Sequence, residues 1–179
     1  MRVHGNGDRS ALLINGTVGV GKTTAAEAVG DLLADAGVPH AVLDLDSLRR
    51  SWPAPPGDRF NFGILLRNVR SVAANYLDAG ATRLVLAGVI EQPDERRRLS
   101  EAVGAELTVC RLRADPAVLR ERLTRRHHSE PEALRWHLDR CGELDAVLDR
   151  SAVDDFTIDT TTGSVTDIAA SVVKRVGWL

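Results

Sequence analysis

The segment Gly16-Thr17-Val18-Gly19-Val20-Gly21-Lys22-Thr23 constrains this chain more than any other. It matches the pattern G-x4-G-K-[ST] in full. The apolar run Ala11–Asn15 precedes it and the helix-forming stretch Lys22–Ala36 follows. Glycines at 16, 19 and 21 let backbone N–H groups turn inward onto an anion with no side chain in the way. The helix that follows aims its first amides and its dipole at the same point. Such a collar suits a polyphosphate. Nucleoside triphosphate binding is therefore expected at Gly16, Thr17, Val18, Gly19, Val20, Gly21, Lys22, Thr23 and Thr24, with ATP and GTP both open. Lys22 would supply charge to the β- and γ-phosphates, and the Thr23 hydroxyl would ligate Mg²⁺. A glycine-rich turn between strand and helix could look similar. Lys22, however, is one of only two lysines, with Lys174, among 23 basic residues.

Strand and helix signals alternate along the rest of the chain. Ala41–Leu45, Arg83–Ala87, Glu106–Leu112 and Phe156–Asp159 read as further buried strands. Asn61–Ala79, Pro93–Val103, Pro116–Arg126, Glu130–Arg150 and Ser164–Val176 read as helices, and Asp46 as the cap of a short one before Pro53. Alternation of this kind predicts a single α/β domain, residues 1–179, with a five-stranded parallel sheet flanked by helices.

Charge and composition narrow the partners. A formal net charge of -2 leaves no excess of positive charge for nucleic acid or an acidic membrane. No apolar run approaches 18 residues, and Met1–Ser10 lacks the apolar core of a signal peptide, so a cytoplasmic protein is expected. Cys110 and Cys141 lack CxxC spacing, and Cys110 reads as a small buried hydrophobe. The five histidines form no His-x3-His pair with an intervening Glu, which argues against zinc. Oligomeric state stays open.

Outside the loop, the residues resemble two families. Leu43-Asp44-Leu45-Asp46-Ser47-Leu48-Arg49 is similar to the L-D-G-D-x-x-R segment of adenylylsulfate kinases, with Leu45 in place of glycine. Asp46-Ser47-Leu48 with Pro53, and Asp155–Thr161, resemble segments of chloramphenicol phosphotransferase. The resemblance implies a nucleotide-kinase-like P-loop fold and a catalytic carboxylate at the carboxyl end of the second strand. Asp46 is the first choice as base. Asp44 is the reserve, as base or as holder of Mg²⁺-bound water. Arg49, Arg59 and Arg67 are candidates to face the acceptor. Trp52, Phe60 and Phe62 cluster in a chain with 4% aromatic residues and suggest a wall for a ring-bearing acceptor.

Leu119–Arg126 resembles the start of the lid of small P-loop kinases, giving an arginine-rich lid at about 120–150. Arg122 and Arg126, four apart on one helix face, are expected to clamp the transferring phosphoryl group, with Arg135 and Arg140 on the returning arm. The third strand ends Leu86-Ala87-Gly88, without the acid of a Walker B motif, leaving Asp44 or Glu91 near the ion. The function expected is an ATP-Mg²⁺-dependent phosphotransferase acting on a small-molecule hydroxyl, an antibiotic or similar natural product. Adenylylsulfate or a nucleoside is the alternative acceptor. A nucleotide-dependent switch is the alternative of another class, but neither N-K-x-D nor D-x-x-G occurs where it would need them.

Overall fold

The computed structural model describes residues 9–58 and 60–179. Among them run the strands β1 (Ser10–Gly16), β2 (His40–Asp44), β3 (Arg83–Ala87), β4 (Glu106–Arg113) and β5 (Phe156–Asp159). The helices are α1 (Lys22–Asp35), α2 (Leu45–Leu48), α3 (Phe62–Asp78), α4 (Pro93–Val103), α5 (Pro116–Arg126), α6 (Pro131–Ser151) and α7 (Val165–Arg175). All paired strands are parallel, in the order β2-β3-β1-β4-β5. The expected α/β sheet is the observed one.

β1 takes the central place because both of its faces are apolar. Ala11 and Leu13 pack with Leu84, Leu86 and residues of α3 and α4, while Leu12 and Ile14 pack with Val85, Cys110 and residues of α1 and α7. Chain progress reverses after β3: β2 and β3 build one flank of β1, β4 and β5 the other. Ligands of open parallel sheets sit in the crevice beyond the strand carboxyl ends at such a reversal. Here that is where β1 runs into the glycine loop.

One local expectation is corrected. The cap of the short helix is Asp44, not Asp46: its Oδ1 accepts the Ser47 N–H at 3.0 Å, so β2 stops at Asp44 and α2 begins with Leu45. Leu45 is fully buried against Gly88, where an added Cβ would lie 2.7 Å from the Leu45 Cβ. Burying Leu45 turns the chain inward at this point. An unbroken strand would have carried Asp44 and Asp46, two residues apart, on one face, but the strand ends at Asp44.

α6 crosses the carboxyl end of the sheet and feeds both cores, Leu144 and Leu148 to one and Cys141 to the other. It is tied to β4 by Arg111, whose side chain is 3% exposed and meets Asp145 at 2.6 Å and Asp149 at 2.9 Å. No helix among the described residues is long and apolar enough to cross a membrane. Cys110 is buried as expected, and desolvation pushes its thiol up to about 12.

Candidate active site

The glycine loop is held from behind before it can hold anything in front. Asn15, the buried penultimate residue of β1, accepts the Gly16 N–H at 2.9 Å and donates to the Ile90 carbonyl at 3.1 Å and to Asp154 at 3.3 Å. Thr17 is buried as well, and its hydroxyl donates to the Cys141 carbonyl of α6 at 2.6 Å. Gly16 has φ of 142°, and an added Cβ would sit 2.7 Å from the Leu112 carbonyl oxygen. Gly16 and Thr17 thus lie beneath the cavity and shape it, while residues from Val18 to Thr24 line it. Gly21 is different: its φ of 100° needs glycine, but an added Cβ would meet nothing within 4 Å, because it faces open space.

Lys22 donates to the Thr17 carbonyl at 2.9 Å. Burial lowers its pKa from 10.5 to about 8, opposed by the nearby Asp46 and Asp44 carboxylates and reinforced by Arg126. An ammonium has three donors, so one acceptor in the loop leaves it under-solvated and ready for phosphate oxygens. The Thr23 hydroxyl donates to Asp44 Oδ2 at 3.3 Å. Thr23 and Asp44 are hard oxygen donors beside the phosphate loop, a set that fits Mg²⁺ sharing phosphate oxygens and waters. Among the described residues, no group of three or more His, Cys, Asp or Glu could hold a metal by itself.

Asp44 and Asp46 both line one cavity of about 1220 Å³ that also takes in the loop, Arg49, Phe60, Phe62 and Glu91. Asp44 is engaged by Thr23 and Ser47. Asp46 is open, its side chain 69% exposed, with Arg49 Nε at 3.8 Å.

The expected arginines separate on inspection. Arg122 is half-buried and committed: it donates to the Thr160 carbonyl at 2.6 Å and to the Val20 carbonyl at 3.4 Å. It ties α5 to the loop and to the end of β5, and it lines the cavity as well. Arg126 lines the cavity, is exposed, and makes no hydrogen bond or ion pair among the described residues. Arg140 pairs with Glu91 and with Glu143 at 3.2 Å and lies over the Phe60 ring, so its charge is already met. Arg49 lines the cavity, whereas Arg67 and Arg135 are exposed and lie outside it. Arg59 lies outside the described residues. Trp52 is corrected: it is 92% exposed and away from the cavity, carried outward by the Pro-rich loop, while Phe60 and Phe62 do form a wall.

Three contributors were missed in the sequence. Asn15 read only as the end of a strand. Trp136 and His137 line the cavity from α6, with His137 stacked on His127 at 4.1 Å. Only the proximity of that helix to the loop brings them in, and no local pattern marks it.

Comparison with known proteins agrees with this geometry. No curated protein sequence matches significantly. Among solved structures, the tunicamycin resistance protein of Deinococcus radiodurans is 21% identical with a TM-score of 0.64, covering 94% of this chain and 96% of that one. Shikimate kinase from Acinetobacter baumannii, in complex with shikimate, is 19% identical with a TM-score of 0.62, covering 97% and 95%. The Mycobacterium tuberculosis APS kinase, in complex with AMPPNP and APS, is 19% identical with a TM-score of 0.60, covering 95% and 98%. These are likenesses of fold. A family model described as an AAA domain matches residues 12–142, a span that includes the loop, both carboxylates, all of α5 and the start of α6. The chain belongs to this AAA-domain family, and its fold is that of the small P-loop kinases.

Proposed function

We propose that this chain is an ATP-dependent phosphotransferase that moves the γ-phosphoryl group onto a hydroxyl of a small molecule. One observation carries the reading: a carboxylate engaged with Thr23 and a second, open carboxylate share one cavity with the phosphate loop. A switch needs the first but has no use for the second.

In this mechanism the loop amides and Lys22 hold the β- and γ-phosphates, and Lys22 gains the solvation it lacks. Mg²⁺, bound through Thr23 with Asp44 behind it, would neutralise charge on the phosphates. Asp46 accepts the proton of the acceptor hydroxyl as that oxygen bonds to the γ-phosphorus and the bond to the β–γ bridging oxygen breaks, releasing ADP. Arg126, on a lid spanning about 120–150, stabilises the transferring group. Arg122 positions the loop. Phe60 and Phe62 form the acceptor wall with Arg49 beside them. Likeness in fold to a tunicamycin resistance protein supports keeping an antibiotic or similar natural product among the acceptors. Likeness to APS kinase keeps adenylylsulfate or a nucleoside as the alternative.

The test is a γ-phosphate transfer screen against antibiotics, nucleosides and adenylylsulfate, read by mass spectrometry for a phosphoryl mass gain. Asp46→Asn should keep ATP binding by calorimetry and lose transfer by roughly two to four orders of magnitude. Transfer that survives this substitution moves the base to another residue, with Asp44 next in line.

A further inference from the structure

Thr17 joins two parts of the protein that meet nowhere in the sequence. It is 1% exposed, and its two oxygens face different elements. Its carbonyl accepts the Lys22 ammonium at 2.9 Å, inside the phosphate loop. Its hydroxyl donates to the Cys141 carbonyl at 2.6 Å, outside the loop and in the middle of α6.

That contact falls where the hold on α6 changes. From Cys141 onward the helix is fastened: Cys141, Leu144 and Leu148 are buried, and Asp145 and Asp149 grip Arg111. Between Pro131 and Arg140 no residue is buried, and Leu134 and Leu138 are only partly covered. This arm is held by side chains, with His137 stacked on His127 and Arg140 set against Glu91 and the Phe60 ring. Three of its residues, Trp136, His137 and Arg140, line the cavity. Gly142 follows Cys141 directly, and an added Cβ there would meet nothing within 4 Å, so packing does not require glycine. Helices give way at glycine and where a side chain reaches into the hydrogen-bond ladder. The Cys141–Gly142 junction has both.

We propose that the Thr17 hydroxyl couples nucleotide in the phosphate loop to the α6 arm, so that a filled loop sets the Trp136, His137 and Arg140 side of the acceptor space. Phosphate oxygens outcompete a carbonyl for an ammonium, because their bond to it joins opposite charges. They draw Lys22 off the Thr17 carbonyl, Thr17 follows the loop onto the phosphates, and its hydroxyl carries the junction of α6 with it. This rests on the kinase reading above and adds to it that acceptor binds better once nucleotide is in place. Thr17 lies beneath the cavity, so it is a positioning residue acting through α6, not a group on phosphate or acceptor.

Hydrogen–deuterium exchange of the full chain, with and without AMPPNP and Mg²⁺, tests this beside AMPPNP affinity by calorimetry. In wild type, AMPPNP should slow exchange over residues 131–141 by roughly three- to ten-fold, the span that one hydrogen bond's net contribution allows. Thr17→Val keeps the branched shape and removes the donor. It should lose the response in 131–141 while exchange at Val18–Thr24 still slows, and Thr17→Ser should restore it. AMPPNP affinity of Thr17→Val should stay within roughly ten-fold of wild type, the most that so small a coupling can cost. A larger fall makes Thr17 part of the loop's own shape and overturns the proposal. So does a Thr17→Val variant whose arm still responds, or a Thr17→Ser variant whose arm does not.

Gly142→Ala decides the matter even if Thr17→Val fails to fold, since its Cβ meets nothing and alanine favours the helix. Stiffening the junction should slow exchange over 131–141 before nucleotide is added and shrink the response to AMPPNP; an undiminished response overturns the proposal. AMPPNP that binds wild type and leaves 131–141 unchanged also overturns it, and the kinase reading survives. AMPPNP that does not bind wild type takes down the kinase reading and the coupling together.

Discussion

Lys22 should cost this fold stability, and replacing it should reveal how much. The residue as a whole is half-buried, but burial drops its pKa from 10.5 to about 8. That is about 2.5 powers of ten in the deprotonation constant, or at most ~3 kcal/mol at about 1.36 kcal/mol for each. Partial exposure and the loss of the bond to Thr17 reduce what a substitution recovers, leaving ~1–2 kcal/mol. Lys22→Met keeps the stem and removes the charge. In the absence of nucleotide, the variant should be the more stable protein at pH 7, by about 2–4 °C in Tm per kcal/mol. The pH dependence gives the sharper check. Between about pH 8 and 10.5 the unfolded chain holds a proton that the folded chain has released, so wild type gains stability as pH rises through that window. The Met variant has no such gain, so its advantage is full below pH 8 and closes by 10.5. Urea unfolding of both proteins at pH 7 and at pH 10 measures the gap. A Met variant less stable at pH 7, or a gap equal at both pH values, refutes the burial argument. The same lysine must be charged to hold phosphate, so ATP affinity of wild type should weaken as pH rises through 8.

Other expectations follow from the loop and the lid. Gly16→Ala should be far more damaging than Gly21→Ala, since the first meets the Leu112 carbonyl and the second meets nothing; urea midpoints should show Gly21→Ala losing roughly 1–2 kcal/mol from its positive φ alone. Arg122→Ala should lower both stability and nucleotide affinity, because it unties Val20 from Thr160. Arg126→Ala should leave melting within about 0.5 kcal/mol of wild type and reduce kcat by on the order of a thousand-fold, as for other arginines that stabilise a transferring phosphoryl group. If the two arginines exchange these effects, their roles are reversed.

Much of the fold was legible because its signals are local. Pro93, Pro116 and Gly104 mark helix ends at the positions observed, and β3 and β5 begin and end where their apolar runs do. The Asp44–Asp46 pair shows the limit. A strand period says which face a residue takes only while the strand lasts, and the burial of Leu45 against Gly88 decided where it stopped. Trp52 failed as an acceptor wall for a similar reason: nearness in sequence to Phe60 says nothing about the direction of a loop.

The amino-acid order alone determined the phosphate loop, because its glycines, lysine and threonine are contiguous and the turn they make needs no distant partner to be recognised. Only the tertiary structure decided what the loop works with. Asn15 meets Ile90 and Asp154, Thr17 meets Cys141, and Arg122 reaches Val20. Those pairs lie 75, 139, 124 and 102 residues apart. Such contacts depend on the order in which strands join the sheet and on the path of α6 across its end, and no window of sequence contains either.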